Sequence, residues 1–129
     1  MTRRAITTDH APAAIGPYSQ AIVSGGFVFC AGTAGIDPAT GEVADGIEAQ
    51  TEQALTNLAA ILEAAGSSLD RVVKATVMYT NVSDFPAINA IYARRMGDPA
   101  PARSAPAGAQ FPRGILISID AIAELADAT

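Results

Sequence analysis

Between residues 100 and 110, in APARSAPAGAQ, a single charged side chain stands among small, mostly apolar ones: Arg103. A guanidinium is seldom left in such company without an anion. Its planar fork suits a carboxylate gripped at two points. A second charge in apolar surroundings is Asp120 of ILISIDAIAEL, residues 115–125. A carboxylate in the middle of such a strand is expected to be paired or desolvated. Two readings of Arg103 stand at this point. Either it pairs with Asp120, or another acid, and ties two strands together, or it offers its fork to the carboxylate of a ligand. Tyr18, directly after Pro17, reads equally as a core or a pocket-lining residue. Asn89 reads as a local hydrogen-bonder. Gly32 and Gly35 of AGTAG can let a ligand approach the backbone, although no phosphate-binding loop follows them. Cys30 in FVFCAG reads as a small buried hydrophobe rather than a nucleophile. The chain has one cysteine and one histidine, His10. That excludes a metal site of Cys/His spacing, and nothing presents the nucleophile turn of a Ser-His-Asp triad.

These residues need elements to carry them. SQAIVSGGFVFCAG reads as a hairpin, with Gly25-Gly26 supplying the positive φ of a two-residue turn. IDPATGEVADG is a loop. A helix follows, with Asp45 as N-cap and Glu48 completing a capping box. Ala54, Leu55, Leu58, Ile61, Leu62 and Ala65 recur at helical spacing, and Gly66 supplies the stop. Glu52, Gln53, Asn57 and Glu63 fall largely on the polar side. RVVKATVMYT is a β-branched strand. Ser83 caps a second helix that tolerates Pro86 in its first turn, carries Ile88, Ile91 and Tyr92 on its apolar side and ends at Gly97. Two extended segments close the chain, Arg103 to Gln110 and Ile115 to Leu125. In the first, Arg103, Ala105, Ala107 and Ala109 share a face by alternation, which leaves space beside the guanidinium, while Pro106 and Gly108 on the other parity point to an edge or bulge rather than a regular central strand. In the second, Ile115, Ile117, Ile119, Ala121 and Ala123 share one face, and Leu116, Ser118, Asp120, Ile122 and Glu124 the other. The order predicts an α+β domain, residues 1–129, with two helices on one face of a mixed sheet. Two helices cannot cover both faces, so self-association is expected.

Composition narrows the class. The chain is 50% hydrophobic and 16% charged, enough to bury a core. Its net charge is -5 and its basic residues are scattered, which argues against a nucleic-acid partner. No apolar run approaches the length of a membrane span. MTRRAITTDH has no hydrophobic region behind its arginines, so it does not read as a signal peptide. With a lone thiol, a reducing, cytoplasmic compartment is expected.

Taken in order, APAAIGPYSQAI, CAG, DPATGEV, QTEQALTNLAAILEAAG, VVKATVMYTNVSDFPAINAIYA, PARS and ISIDAIA resemble the Rid (YjgF) family of reactive-intermediate deaminases over nearly the whole chain. The resemblance implies a chorismate-mutase-like fold with a six-stranded sheet, and a homotrimer with clefts between subunits. It implies a cofactor-independent hydrolysis of 2-imino or 2-enamino acids to 2-oxo acids and ammonia. Arg103 is then the residue that grips the substrate carboxylate, and Asp120 matches a glutamate that orients or activates water. Tyr18, Gly32 and Asn89 match pocket positions. Ala105 stands where deaminating members often have cysteine, and there the backbone carbonyl is the useful part. Ala31 and Thr33 replace a frequent serine and a frequent glutamine. The alternative is a non-catalytic trimer of the same family that binds small carboxylates or regulates a partner. A ribonuclease reading is disfavoured by the acidic balance and the absence of a histidine pair.

Overall fold

Six strands and two helices make up the chain in a computed structural model that describes residues 2–126; the outermost residues of the expected 1–129 domain, 1 and 127–129, lie outside the described residues. The strands are β1 (Arg4–Ile6), β2 (Ala21–Ser24), β3 (Phe27–Ala34), β4 (Val72–Tyr79), β5 (Ala102–Ser104) and β6 (Ile117–Glu124). They form one mixed sheet in the order β1-β2-β3-β6-β4-β5. Only the β4–β5 pair is parallel. The helices are α1 (Gly46–Ala65) and α2 (Phe85–Arg95).

Local signals act where the sequence places them. Gly25 and Gly26 have φ of 62° and 87°, and the β2–β3 hairpin turns there. The α1 helix stops at Gly66, whose left-handed φ of 87° lets its N–H reach the last carbonyls. The sheet buries Ile117, Ile119, Ala121 and Ala123 of β6 with Val28 of β3 and Val77 of β4 against Leu55, Leu58 and Leu62 of α1 and Ile88 of α2. The α+β class with two helices on one face is therefore the observed architecture. The opposite face carries exposed Phe27, Phe29 and Val73.

Four expectations give way. Asp45 precedes α1 but makes no side-chain cap hydrogen bond, so no capping box forms. Ser83 lies inside a short 3-10 turn, Val82–Asp84, and Asp84 takes the N-cap position of α2. The prolines at 101 and 106 limit β5 to three residues, because a ring nitrogen has no N–H to donate. Beyond Ser104 only an isolated bridge joins Ala107 to Tyr79, and Gly108 has φ 88°, so the strand alternation linking Arg103 to Ala107 and Ala109 is lost. Asn57, placed on the polar side of α1, is fully buried. Its amide is satisfied there: Nδ2 donates to the carbonyls of Ala34 (3.0 Å) and Ile36 (2.8 Å), and Oδ1 accepts from Gln53.

Candidate functional site

The register of β6, β4 and β5 decides how Arg103 and Asp120 relate. Arg103 pairs with Ala75, which pairs with Ala121; Asp120 pairs with Thr76, which pairs with Ser104. The two rows point to opposite faces of the sheet. Arg103 therefore faces α2, and Asp120 faces the side that no helix covers. The ion pair between them does not exist. Asp120 is half-buried and makes no salt bridge among the described residues.

Arg103 is held instead by α2. Its Nη1 donates to Oδ1 of Asn89 at 2.7 Å, the only hydrogen bond its side chain makes among the described residues. The guanidinium carbon sits 4.9 Å from the centre of the Tyr92 ring and 5.4 Å from that of Phe85. Arg103, Asn89 and Tyr92 line one open groove together with Met96 and Pro101. Ala105 follows one residue past the end of β5, partly buried against the core.

The other residues gather three strands away. Between Cys30, paired with Ala121, and Thr33, paired with Ile119, two residues of β3 oppose one of β6. This is a β-bulge: Ala31 and Gly32 face Asp120. A Cβ on Gly32 would come within 2.7 Å of Ser118 Oγ, so only glycine keeps this part of the bulge open without a shift of that serine. Gly32 and half-exposed Tyr18 line a cavity of about 350 Å³ with Ile15, Asp37, Arg113 and Ile115. Gly35, by contrast, admits no ligand. Its Cα packs on the α1 backbone, where a Cβ would fall 2.4 Å from the Gln50 carbonyl oxygen.

Three buried amides shape that cavity, and only Asn57 among them drew notice in the sequence. Gln20 Nε2 donates to the carbonyls of Pro12 (2.8 Å) and Thr8 (3.1 Å), and its Oε1 accepts from the Thr8 N–H (2.8 Å). The segment leading to Tyr18 is thereby pinned to the start of β2. Gln50 Nε2 donates to the Gly114 carbonyl (3.1 Å), and its Oε1 accepts from the Leu116 N–H (2.8 Å). Asn57 holds the end of β3, as above. Gln50 and Asn57 are seven residues apart, so they share a helix face. That spacing was the available signal. Arg113 was also missed. It has a left-handed φ of 62° and donates from Nη2 to the Gly41 carbonyl at 2.7 Å, closing one rim of the cavity.

Cys30, behind the bulge, is buried as expected. Burial pushes its thiol from 9.0 up to about 12, and the negative charge of Asp120 adds to the shift. It is no nucleophile at neutral pH. Among the described residues no group of His, Cys, Asp and Glu is arranged to hold a metal ion, and no helix is long and apolar enough to cross a membrane.

The fold places the chain in a class. It matches the family described as Endoribonuclease L-PSP over residues 8–125, and it belongs to that family. Within the family it is RidA-like. A RutC family protein of Pyrococcus horikoshii is 49% identical over 122 residues, covering 94% of this chain and 97% of that one. The 2-iminobutanoate/2-iminopropanoate deaminase of Capra hircus is 44% identical, covering 95% of this chain and 90% of its own. The crystal structure of RidA from the Antarctic bacterium Psychrobacter sp. superposes with a TM-score of 0.91 at 43% identity, over 95% of this chain and 99% of the other.

Proposed function

We propose that this protein is a RidA-type imine deaminase, hydrolysing 2-imino or 2-enamino acids to 2-oxo acids and ammonia at clefts between the subunits of a homotrimer. The observation that carries the reading is Arg103. Its guanidinium is fixed by Asn89 and two rings yet has no carboxylate partner among the described residues. A free, oriented fork of this kind suits a ligand carboxylate. The relative named a 2-iminobutanoate/2-iminopropanoate deaminase supports the same chemistry.

One chain holds two half-sites. Gly32 on β3 and Arg103 on β5 are three strand spacings apart, about 14 Å. A small imino acid cannot bridge that distance. In the proposed cleft, Arg103, Asn89 and Ala105 of one subunit meet Tyr18, Gly32 and Asp120 of its neighbour. Arg103 binds the carboxylate, and the Ala105 carbonyl and the bulge at Gly32 bound the space around the imine. Asp120 takes a proton from water as the oxygen adds to the carbon of the protonated imine, giving a neutral carbinolamine. Asp120 returns that proton to the nitrogen, which leaves as ammonia while the hydroxyl gives its proton to the freed carboxylate, and from there to solvent, as the carbonyl forms. The imine carbon is already electrophilic, so fixed geometry and one base supply most of the catalysis.

The test is release of ammonia and 2-oxo acid from imines that an amino-acid oxidase generates in situ. The protein is expected to accelerate release over the uncatalysed rate, and Arg103→Lys to remove most of the effect. Lysine keeps the charge but loses the two-point fork, and a charge-assisted hydrogen bond contributes about 1.5–3 kcal/mol. Carboxylate binding with no acceleration at all would favour the non-catalytic binding trimer.

A further inference from the structure

Three side chains of α2 meet the Arg103 guanidinium: Phe85, Asn89 and Tyr92. They stand at i, i+4 and i+7, one stripe of the helix. Phe85 is backed in turn by Tyr79 of β4, with ring centres 5.7 Å apart and planes only 12° from parallel. The cation is thus held by two rings, one of them braced against the sheet. The Tyr92 hydroxyl is buried and has no hydrogen-bond partner among the described residues. So the ring of Tyr92 meets the arginine, while its hydroxyl does nothing visible for it.

We infer that Phe85 and Tyr92 are positioning residues for Arg103. They hold the guanidinium in its binding orientation before a ligand arrives, and so set the affinity for the ligand carboxylate without touching the ligand. The inference rests on the reading of Arg103 as a carboxylate anchor. The physical case has two parts. Arginine is long and rotamer-rich, and an unbraced arginine must give up that freedom when it binds. Aromatic faces attract a cation through their quadrupole, and more strongly where water is kept away. Arg103 is exposed in the single chain, so without the rings its head would sample many orientations. Asn89 fixes one nitrogen; the rings fix the remaining rotation.

The test combines affinity with a spectroscopic reading of the arginine itself. Calorimetry with 2-oxobutanoate as probe compares the wild type with Phe85→Leu, Tyr92→Leu and Tyr92→Phe, with thermal melts and molecular mass as checks on folding. The leucine variants are expected to bind about three- to tenfold more weakly, the range of a cation–π contact. Tyr92→Phe keeps the ring and is expected to stay within about twofold of wild type. In ligand-free protein, the Arg103 Nε–H resonance, assigned by its loss in Arg103→Lys, is expected upfield under the ring currents. It should move toward the position of a free arginine in Tyr92→Leu and stay in Tyr92→Phe. If Tyr92→Phe loses affinity as Tyr92→Leu does, the hydroxyl acts directly and the inference is overturned. It is also overturned if both leucine variants bind as wild type does, or if the wild-type resonance sits at the free-arginine position. If the wild type binds no 2-oxo acid, the deaminase reading fails, and the Arg103 resonance alone decides the positioning.

Discussion

Asp120 is the residue at which chemistry and geometry press hardest on each other. It faces the bulge at Ala31 and Gly32, on the sheet face that no helix covers. It stands where the resemblance expects glutamate, and it is shorter by one methylene, about 1.5 Å of reach. A misplacement of about 1 Å can cost on the order of a hundredfold in rate. Weak activity on small 2-imino acids is therefore expected, with Asp120→Glu faster than wild type and Asp120→Ala slower. Small neighbours at Ala31 and Gly32 leave room for the longer acid. Steady-state rates of the three proteins check this, and a wild type faster than Asp120→Glu would mean a site rebuilt around aspartate. Cys30, just behind, makes a separate prediction. Its folded pKa of about 12 lies above the usual 9.0 because the thiol is buried and Asp120 is near. Below pH 9 the thiol is neutral in both states and its full contribution to stability is present. As pH rises from 9 toward 12 the unfolded thiol ionises and the folded one does not, so that contribution is lost. Thermal melts across this window should fall more steeply for wild type than for Cys30→Ala. At pH 8 the folded thiol should resist maleimide; rapid labelling there would contradict its burial.

At the scale of elements, the cavity beside Tyr18 and Gly32 depends on how closely β3 approaches α1. Gly35 sets that approach, because a Cβ there would lie 2.4 Å from the Gln50 carbonyl oxygen and 2.7 Å from the Gln50 Cα. Both obstacles are backbone atoms and cannot rotate away. Gly35→Ala is expected to destabilise the fold by about 1–3 kcal/mol, the usual cost of overpacking, and to loosen the loop ties made by Gln50. Chemical denaturation measures this; a midpoint equal to that of wild type would show that the helix shifts freely. The same contact marks the boundary of what the sequence discloses. The α1 stripe, the stop at Gly66 and the turn at Gly25-Gly26 were legible because each depends on neighbours a few residues away. Burial of Asn57 was not, because its acceptors, Ala34 and Ile36, lie more than twenty residues upstream. A polar residue reads as solvent-facing until the backbone groups it serves are known. The opposite faces of Arg103 and Asp120 were equally hidden. They follow from strand order and register, which no local pattern encodes. The site's residue types were therefore readable, but their division into two groups was not.

That division governs the whole molecule. The open sheet face exposes Phe27, Phe29 and Val73, with Ile22 and Ile122 half-buried among them. Six strands at about 4.8 Å spacing, the longest of eight residues at about 3.3 Å rise, make a face of roughly 600 Å². That is close to the roughly 800 Å² that each partner contributes to a standard interface. The exposed phenylalanines on that face suit an interface, and in the proposed trimer covering it brings a second chain toward the bulge at Gly32 and Asp120. On the proposed reading assembly and catalysis are one event, because neither half-site has the other's residues. Light scattering at micromolar concentration is expected to give a mass near three times the 13.1 kDa chain. Phe29→Glu, which places a charge in the middle of that face, is expected to shift the mass toward the monomer. Deaminase activity should fall with it in the same proportion, although Phe29 is neither an anchor nor a base. An Arg103→Lys protein should keep the trimer mass and still be impaired. A wild type that runs as a monomer, or a Phe29→Glu monomer that retains full activity, would show that one chain closes its own site, and the separation of Arg103 from Asp120 would then need another explanation.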